Sequence, residues 1–477
     1  METGRSAPLF LWILLIGGCA ASRPAGTPPQ LSATLRSGPM LGYADLTEAS
    51  LWVQTTSPAQ VSVRYWPEAR TAEARTSPAV SATDASHRTA LLVLSNLEPG
   101  TGYAYEVLVD GAAVPRPSET RFVTQRFWQY RGDPPEFTAA AGSCYFANEP
   151  KSDRPGRPYG RSPAIFERIA EKKPDLMLWL GDNVYYREPD FGSAAAMQER
   201  NALAREEPAL QRLLAAASHY AIWDDHDYGP NNSIWTYALS RNALEIFKLY
   251  WANPTYGHRD TPGVFGMFQW ADIDFFLLDD RWYRTPENAA DPSARKMFGP
   301  EQLRWLKDAL LFSRAPFKVI ANGSQMLNAH TAVDTFRNFP AEYRELTDWI
   351  VSNRISGVLF LSGDKHHTEL LRETPAGIYT LYDFTSSPLT AGLSLDKGEE
   401  ENPQRVPGTL VADDQNFGLL RFSGPCNDRA LTMETYDSKG TLRWKHSVRA
   451  RELVAPGTPE KEIRGHPACT YLTSRTG

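Results

Sequence analysis

The run Leu176-Met-Leu-Trp-Leu180 passes without a break into Gly181-Asp182-Asn183-Val184-Tyr185. Five continuous apolar residues predict a strand covered on both faces, and the Gly-Asp that follows predicts a turn carrying a carboxylate at the strand's end. The pattern recurs. Phe137–Ala141 leads to Gly142-Ser143-Cys144-Tyr145, Tyr220–Trp223 to Asp224-Asp225-His226-Asp227, and Phe275–Leu278 to Asp279-Asp280-Arg281. Lys318–Ala321 leads to Asn322-Gly323-Ser324-Gln325, and Val358–Leu361 to Ser362-Gly363-Asp364-Lys365-His366-His367. Between these runs lie helical segments: Ser162-Pro163 reads as an N-cap and first-turn proline before Ile165, Phe166 and Ile169, with further helices over 300–310 and 342–350. Strands alternating with helices give an α/β architecture.

The carboxyl ends of parallel strands in an α/β sheet converge on the edge where ligands bind. Six such ends would bring carboxylates, a thiol, a phenol and imidazoles to one place. Anions at short range raise each other's pKa, and a cluster of metal ions is the economical way to neutralise them. Each motif alone has a plainer reading. Gly-Asp is often only a turn, Cys144 a buried inert thiol, and Tyr185 a partner of Tyr186 in an aromatic core. Repetition favours the metal site.

Composition agrees with an ordinary globular chain: 477 residues, 42% hydrophobic and 22% charged, with a net charge of −6. Without a basic surplus, nucleic acid is a poor partner. Residues 34–125 carry short alternating runs such as 50–55, 61–65 and 103–109, bounded by turns. Leu97-Glu-Pro-Gly-Thr-Gly-Tyr103 looks like the tyrosine corner of an immunoglobulin-like sandwich, and the stretch resembles a fibronectin type III-like domain. Arg5, the apolar run 8–16 and Gly17-Gly18-Cys19 describe a secretory signal, and Ile16 to Cys19 resembles a bacterial lipobox. On that reading residues 1–19 are removed up to a lipidated Cys19, 20–33 form a tether, and the protein is a periplasmic or cell-surface lipoprotein, on the outer membrane if the cell has one. The anchor is then its one membrane contact. The plainer reading is a signal peptide cut near Ala20-Ala21. The acidic, Pro- and Gly-containing piece 396–408 reads as a solvated loop, or as a lid.

The ordered set Gly142-Ser-Cys144, Gly181-Asp-Asn-Val-Tyr185, Trp223-Asp-Asp-His-Asp227, Leu278-Asp-Asp-Arg-Trp-Tyr-Arg284, Phe298-Gly-Pro-Glu-Gln302 and Ser362-Gly-Asp-Lys-His366 is similar to the alkaline phosphatase D (PhoD-like) family of the metallophosphoesterase superfamily. The likeness covers about residues 35–450. It implies a four-layer αββα metallophosphatase core over 135–450 after the sandwich, hydrolysis of phosphate esters, and Fe³⁺ with Ca²⁺ as cofactors. Relative to common metallophosphoesterases, oxygens replace several imidazoles here, which suits hard cations. The resemblance assigns Cys144 and Tyr185 to iron, Asp182 as a bridge, and Asp225, Asp364 and His366 to the rest of the cluster. His226 would stabilise developing charge or protonate the leaving group, beside Asp225. Arg281 would clamp phosphate, or tie the carboxylates together. Asn231 and Asn232 would donate amide hydrogens to phosphate or metal, or simply form a turn. Asp224 ranks behind Asp225 as a ligand, and His367 orients a neighbour. Cys426 and Cys469 are left to pair in an exported chain, pinning the 451–477 tail.

Two features depart from the family: Arg5 has no arginine neighbour, and Asp227 stands where relatives often have Glu. The expected enzyme is a monomer acting on small-molecule or lipid phosphate esters. Its rivals are a phospholipase D-like phosphodiesterase of lipid head groups and a non-catalytic surface binding protein.

Overall fold

A computed structural model describes residues 34–115, 120–147, 151–156 and 158–458. Cys19 with its expected leader and tether, and Cys469, lie outside the described residues. Cys426 is disulfide-bonded, and Cys144 is a free, buried thiol.

The six strand-end motifs are divided between two sheets, as the expected four-layer αββα core requires. The first sheet runs in the order Ser218–Ile222, Leu176–Leu180, Phe137–Gly142, Asn416–Ser423, Ala430–Asp437, Leu442–Arg449. Its first three strands are parallel, and the C-terminal strands complete it antiparallel. The second runs Gly266–Trp270, Ile273–Leu277, Lys318–Asn322, Val358–Ser362, Leu381–Thr385, Glu369–Glu373, with the middle four parallel.

Alternation along the strands stacks these sheets. Leu176, Leu178 and Leu180 share a core with the second sheet, while Met177 and Trp179 pack among the helices Ile165–Glu171, Ala194–Arg205, Pro208–Ala216 and Ser240–Tyr250. Gly299–Phe312 and Pro340–Ser352 cover the second sheet, giving helix, sheet, sheet, helix. Rings close the seam between the sheets: Tyr220 stacks on Phe268 at 3.6 Å between centroids, and Phe137 meets Phe275 edge-on at 6.4 Å.

Local signals were mostly right, with two corrections. The helix at 165 starts after a turn and has no side-chain cap; Ser162 Oγ instead accepts the Ala164 N–H at 3.3 Å. Segment 396–408 does form a loop, but it is not simply solvated. Its Glu399 is fully buried and lies 3.1 Å from Lys365 Nζ.

The N-terminal residues form two antiparallel sheets around their own core. Tyr103 is buried, and its hydroxyl accepts the Glu98 backbone N–H at 2.9 Å, the upstream contact that defines a tyrosine corner. The strand Glu48–Thr55 is buried on both faces because it is shared. Leu51 and Val53 enter the sandwich core; Trp52 enters the α/β core and donates from Nε1 to Leu249 O at 2.7 Å. The described residues therefore form one compact unit.

Candidate metal centre

The turns after the parallel strands bring two sets of donors together. Donor atoms of Cys144, Asp182 and His366 lie within 4.8 Å of one another, as do those of Asp182, Asp225 and His226. Asp182 belongs to both sets. An ion held at roughly 2.0–2.6 Å by each donor would span gaps of this size.

Placing these side chains forces the backbone. Cys144, Asp182, Asp364 and His366 all have positive φ, at 61°, 53°, 64° and 54°. Such conformations cost about 1–2 kcal/mol each for a residue with a Cβ and gather at functional sites. Cross-links between the turns hold them. Cys144 N–H donates to Gly181 O at 3.3 Å, Tyr145 N–H to Asp182 O at 2.8 Å, and His366 N–H to Ser387 Oγ at 2.9 Å. Gly181 permits the closest approach, since a Cβ there would lie 2.6 Å from the Asp224 Cβ.

The cluster is short of positive charge. Burial pushes the Asp182 carboxyl well above its usual range, and Asp225, Cys144, Asp227 and Asp364 push it further. Burial, then Asp364, raises the Cys144 thiol to about 11. Burial raises Tyr185 well above an ordinary phenol, with Asp182 and Cys144 adding to it, and raises Asp364 to about 6. Asp225 is the exception: burial opposes its ionisation, but His226, Arg281 and the Asn232 N–H together hold it below the ordinary range. Burial lowers both His226 and His366, which disfavours their protonated forms. His226 Nδ1 and Asp224 Oδ2 are buried without a hydrogen-bond partner. A thiol, carboxylates and imidazoles, crowded and uncompensated, fit multivalent cations.

His366 is oriented for a ligand role. Its Nδ1 lies 2.6 Å from Gly392 O, which requires a proton on that nitrogen, so Nε2 keeps its lone pair. Tyr185 OH lies 3.1 Å from Nε2, and the Tyr185 ring packs 4.2 Å from that of His226.

The other expected residues are placed as follows. The Asp364 carboxylate stands beside the cluster, outside both tight sets, under the field of Asp334, Lys365, Asp225 and Arg281. Arg281 has no exposed surface and holds Asp224 and, at 3.0 Å, Asp334, the tying role, while its Nη1 is buried without a hydrogen-bond partner. Asn231 and Asn232 are exposed, and Asn232 reaches Asp225 through its backbone N–H instead of its amide. His367 is buried, with Nδ1 3.2 Å from Ser394 O and Nε2 3.6 Å from Glu369. Tyr186 is core, bonded by Asn201 at 2.9 Å.

Sequence reasoning missed Tyr159, whose hydroxyl lies 2.9 Å from His366 Nδ1, and Asp334, which joins Arg281 to Arg284. Both sit in loops with no strand before them. It also missed the work of Asp227, which accepts the N–H groups of Asn183 and Asp224 at 3.0 and 3.1 Å and so staples two donor turns together.

A sequence profile of the PhoD-like phosphatases matches residues 156–427, more than half of the chain. The chain belongs to the PhoD-like phosphatase family. A domain family of unknown function matches residues 32–127. Alkaline phosphatase D of Bacillus subtilis (strain 168) is 23% identical over 250 residues, a stretch covering 42% of each protein. The match to that curated relative thus spans less than half its length. A solved structure of PhoD aligns with 94% of this chain and 100% of its own at 16% identity and a TM-score of 0.71. Purple acid phosphatase PPD1 from yellow lupin seeds aligns with 91% of this chain and 75% of its own at 11% identity and a TM-score of 0.61. The PhoD-like fold therefore extends over the N-terminal sandwich as well as the matched core.

Proposed function

We propose that this PhoD-like chain is an exported, metal-dependent hydrolase of phosphate esters, both phosphatase and phosphodiesterase, using water as the nucleophile. The observation that carries the reading is Asp182, which is common to two donor sets and so placed to bridge two cations. Cys144, Asp182, His366 and the adjacent Tyr185 would hold a hard trivalent ion, Fe³⁺, which keeps thiolate and phenolate deprotonated. Asp182 and Asp225, with Asp364 alongside, would hold Ca²⁺. Bound ions supply Lewis-acid polarisation of the phosphoryl oxygens and lower the pKa of an attacking water.

The chain's own groups do the rest. Asp225 stays ionised because Arg281 and His226 face it. Arg281, fixed by Asp224 and Asp334, keeps the turn rigid. His226, set beside Asp225, donates a hydrogen bond to the charge developing on the leaving group. The signal-like N-terminus with Gly18-Cys19 supports export and a lipid anchor. Among the described residues no helix is long and apolar enough to cross a membrane.

Metal analysis together with an absorption spectrum of the purified protein tests this reading. Iron with calcium, a visible tyrosinate charge-transfer band, and hydrolysis of phenyl phosphate abolished by chelator and restored by metal are expected. Full turnover after stripping to trace metal would overturn it.

A further inference from the structure

A phosphate ester approaching this cluster meets a molecule of net charge −6, so nearby cations decide which anions are retained. The cationic groups beneath the cluster are mostly committed, Arg281 keeping only Nη1 without a hydrogen-bond partner. Arg281, Arg284 and Lys365 are buried against Asp224, Asp334, Glu287 and Glu399. Two arginines beside it are not.

Phe146, Tyr159 and Tyr185 form an aromatic patch around His366. Phe146 lies 5.0 Å from Tyr159 and 5.1 Å from Tyr185 between ring centroids, and both tyrosyl hydroxyls reach the imidazole. Arg154 lies with its guanidinium carbon 4.3 Å over the Tyr159 ring, and Arg187 lies 5.8 Å from the Phe146 centroid. Each is therefore one ring away from a residue of the site. The charge of Arg187 also reaches His226.

Among the described residues no carboxylate pairs with Arg154, which is exposed. Arg187 donates from Nε to Ser152 O at 3.2 Å, and its Nη2 is 3.5 Å from Glu188, whose side chain is 73% exposed. The Arg187 side chain itself is only 14% exposed, but so long a contact to an exposed carboxylate is worth about 0–1 kcal/mol and yields readily to a phosphate. A guanidinium seated on a ring keeps its N–H edge free, and that planar fork matches phosphate oxygens two at a time.

We propose that Arg154 and Arg187 form an anion subsite flanking the metal cluster, and that it takes a second phosphate group of the same substrate molecule. The preferred substrates are then small organic esters carrying two phosphates. The proposal rests on the phosphoester reading only for the identity of the group at the metals.

Calorimetric titration of the metal-loaded full chain with phenylphosphonate and with 1,4-phenylenebisphosphonate tests it. The bisphosphonate binds about tenfold tighter or more, the gain of one good charged contact. Arg154→Gln, which loses only its packing on Tyr159, lowers that ratio, and Arg154→Gln with Arg187→Gln brings it to the statistical factor of about two. A ratio near two in the unaltered protein, a larger ratio that survives both substitutions, or no binding of either phosphonate overturns the subsite. Turnover of phenyl phosphate, followed in parallel, tests the hydrolase reading alone. Absent turnover with a ratio still sensitive to Arg154 keeps the subsite and removes the hydrolase.

Discussion

Asp224-Asp225 and Asp279-Asp280 are the same motif twice: a buried strand, two carboxylates, then a cationic or ionisable residue. One pair comes from each sheet, and the fold uses Asp279 and Asp225 in opposite ways. Asp279 accepts four N–H groups, from Trp223 Nε1 at 2.7 Å and from the backbones of Val264, Arg281 and Trp282 at 2.9, 3.0 and 2.9 Å. Asp280 accepts the Ser324 N–H and hydroxyl, both at 2.9 Å. Asp225 has the Asn232 N–H, and Asp182 the His226 N–H at 3.2 Å, and the two otherwise face other donors of the cluster. Asp279, with both oxygens occupied, belongs to the scaffold, whereas Asp280 keeps Oδ1 buried without a hydrogen-bond partner. A carboxylate with bare lone pairs facing the cluster is available to a cation.

The sharpest way to break this contrast is to delete one acid of each kind. Asp182→Ala lowers turnover by about 10³-fold or more and reduces bound metal, read by kinetics and elemental analysis. The chelated variant melts no lower than chelated wild type, because an uncompensated buried charge has been removed. Asp279→Ala does the reverse. It strands four buried donors and destabilises the fold by about 3–5 kcal/mol, read by denaturant titration, while any protein that remains folded binds metal at wild-type stoichiometry. Equal effects at the two positions would erase the distinction.

Much of this was legible in the sequence, and what was not has a common cause. The six strand runs and the Tyr103 corner are local patterns, and each formed within a few residues of its predicted place. The division of the strands between two sheets, implied only by the family resemblance, is not local. Nor is the difference between Asp225 and Asp279, which depends on donors arriving from Val264 and Trp223 and on Gln302, whose amide brackets the Asp279 backbone at 2.7 and 2.8 Å. Glu399 was read as solvated because Asp396–Gly408 is acidic and turn-rich; Lys365 draws it inside.

Asp227 lies between the two classes, since it staples turns yet sits in the cluster's field. Burial raises it to about 7, above its unfolded value near 3.8. A raised folded pKa means the stabilising contribution is complete below about 3.8 and is lost as pH rises through about 7, up to about 4 kcal/mol in all. The chelated protein therefore loses melting temperature between about pH 4 and 7, and Asp227→Asn flattens that slope. Metal-loaded protein holds its stability across the same range, since cations favour the ionised carboxylate. A slope unchanged by Asp227→Asn would assign the pH response to other groups.

The smallest expected effect probes the seam between the two acid pairs. Gly323 ends a strand of the second sheet, and a Cβ there would lie 2.7 Å from both Asp224 Cγ and Asp280 Oδ2. Neither neighbour can give way freely: Asp224 is held by Arg281, and Asp280 by Ser324. Gly323→Ala therefore costs about 1–3 kcal/mol as an overpacked site. Because it pushes one acid from each pair, including the neighbour of Asp225, it lowers melting temperature and metal affinity together. Gly132→Ala, where an added Cβ meets nothing within 4 Å, changes neither. If Gly323→Ala weakened stability alone, the Asp224 turn would move without disturbing Asp225, and the two sheets would contribute to the centre independently.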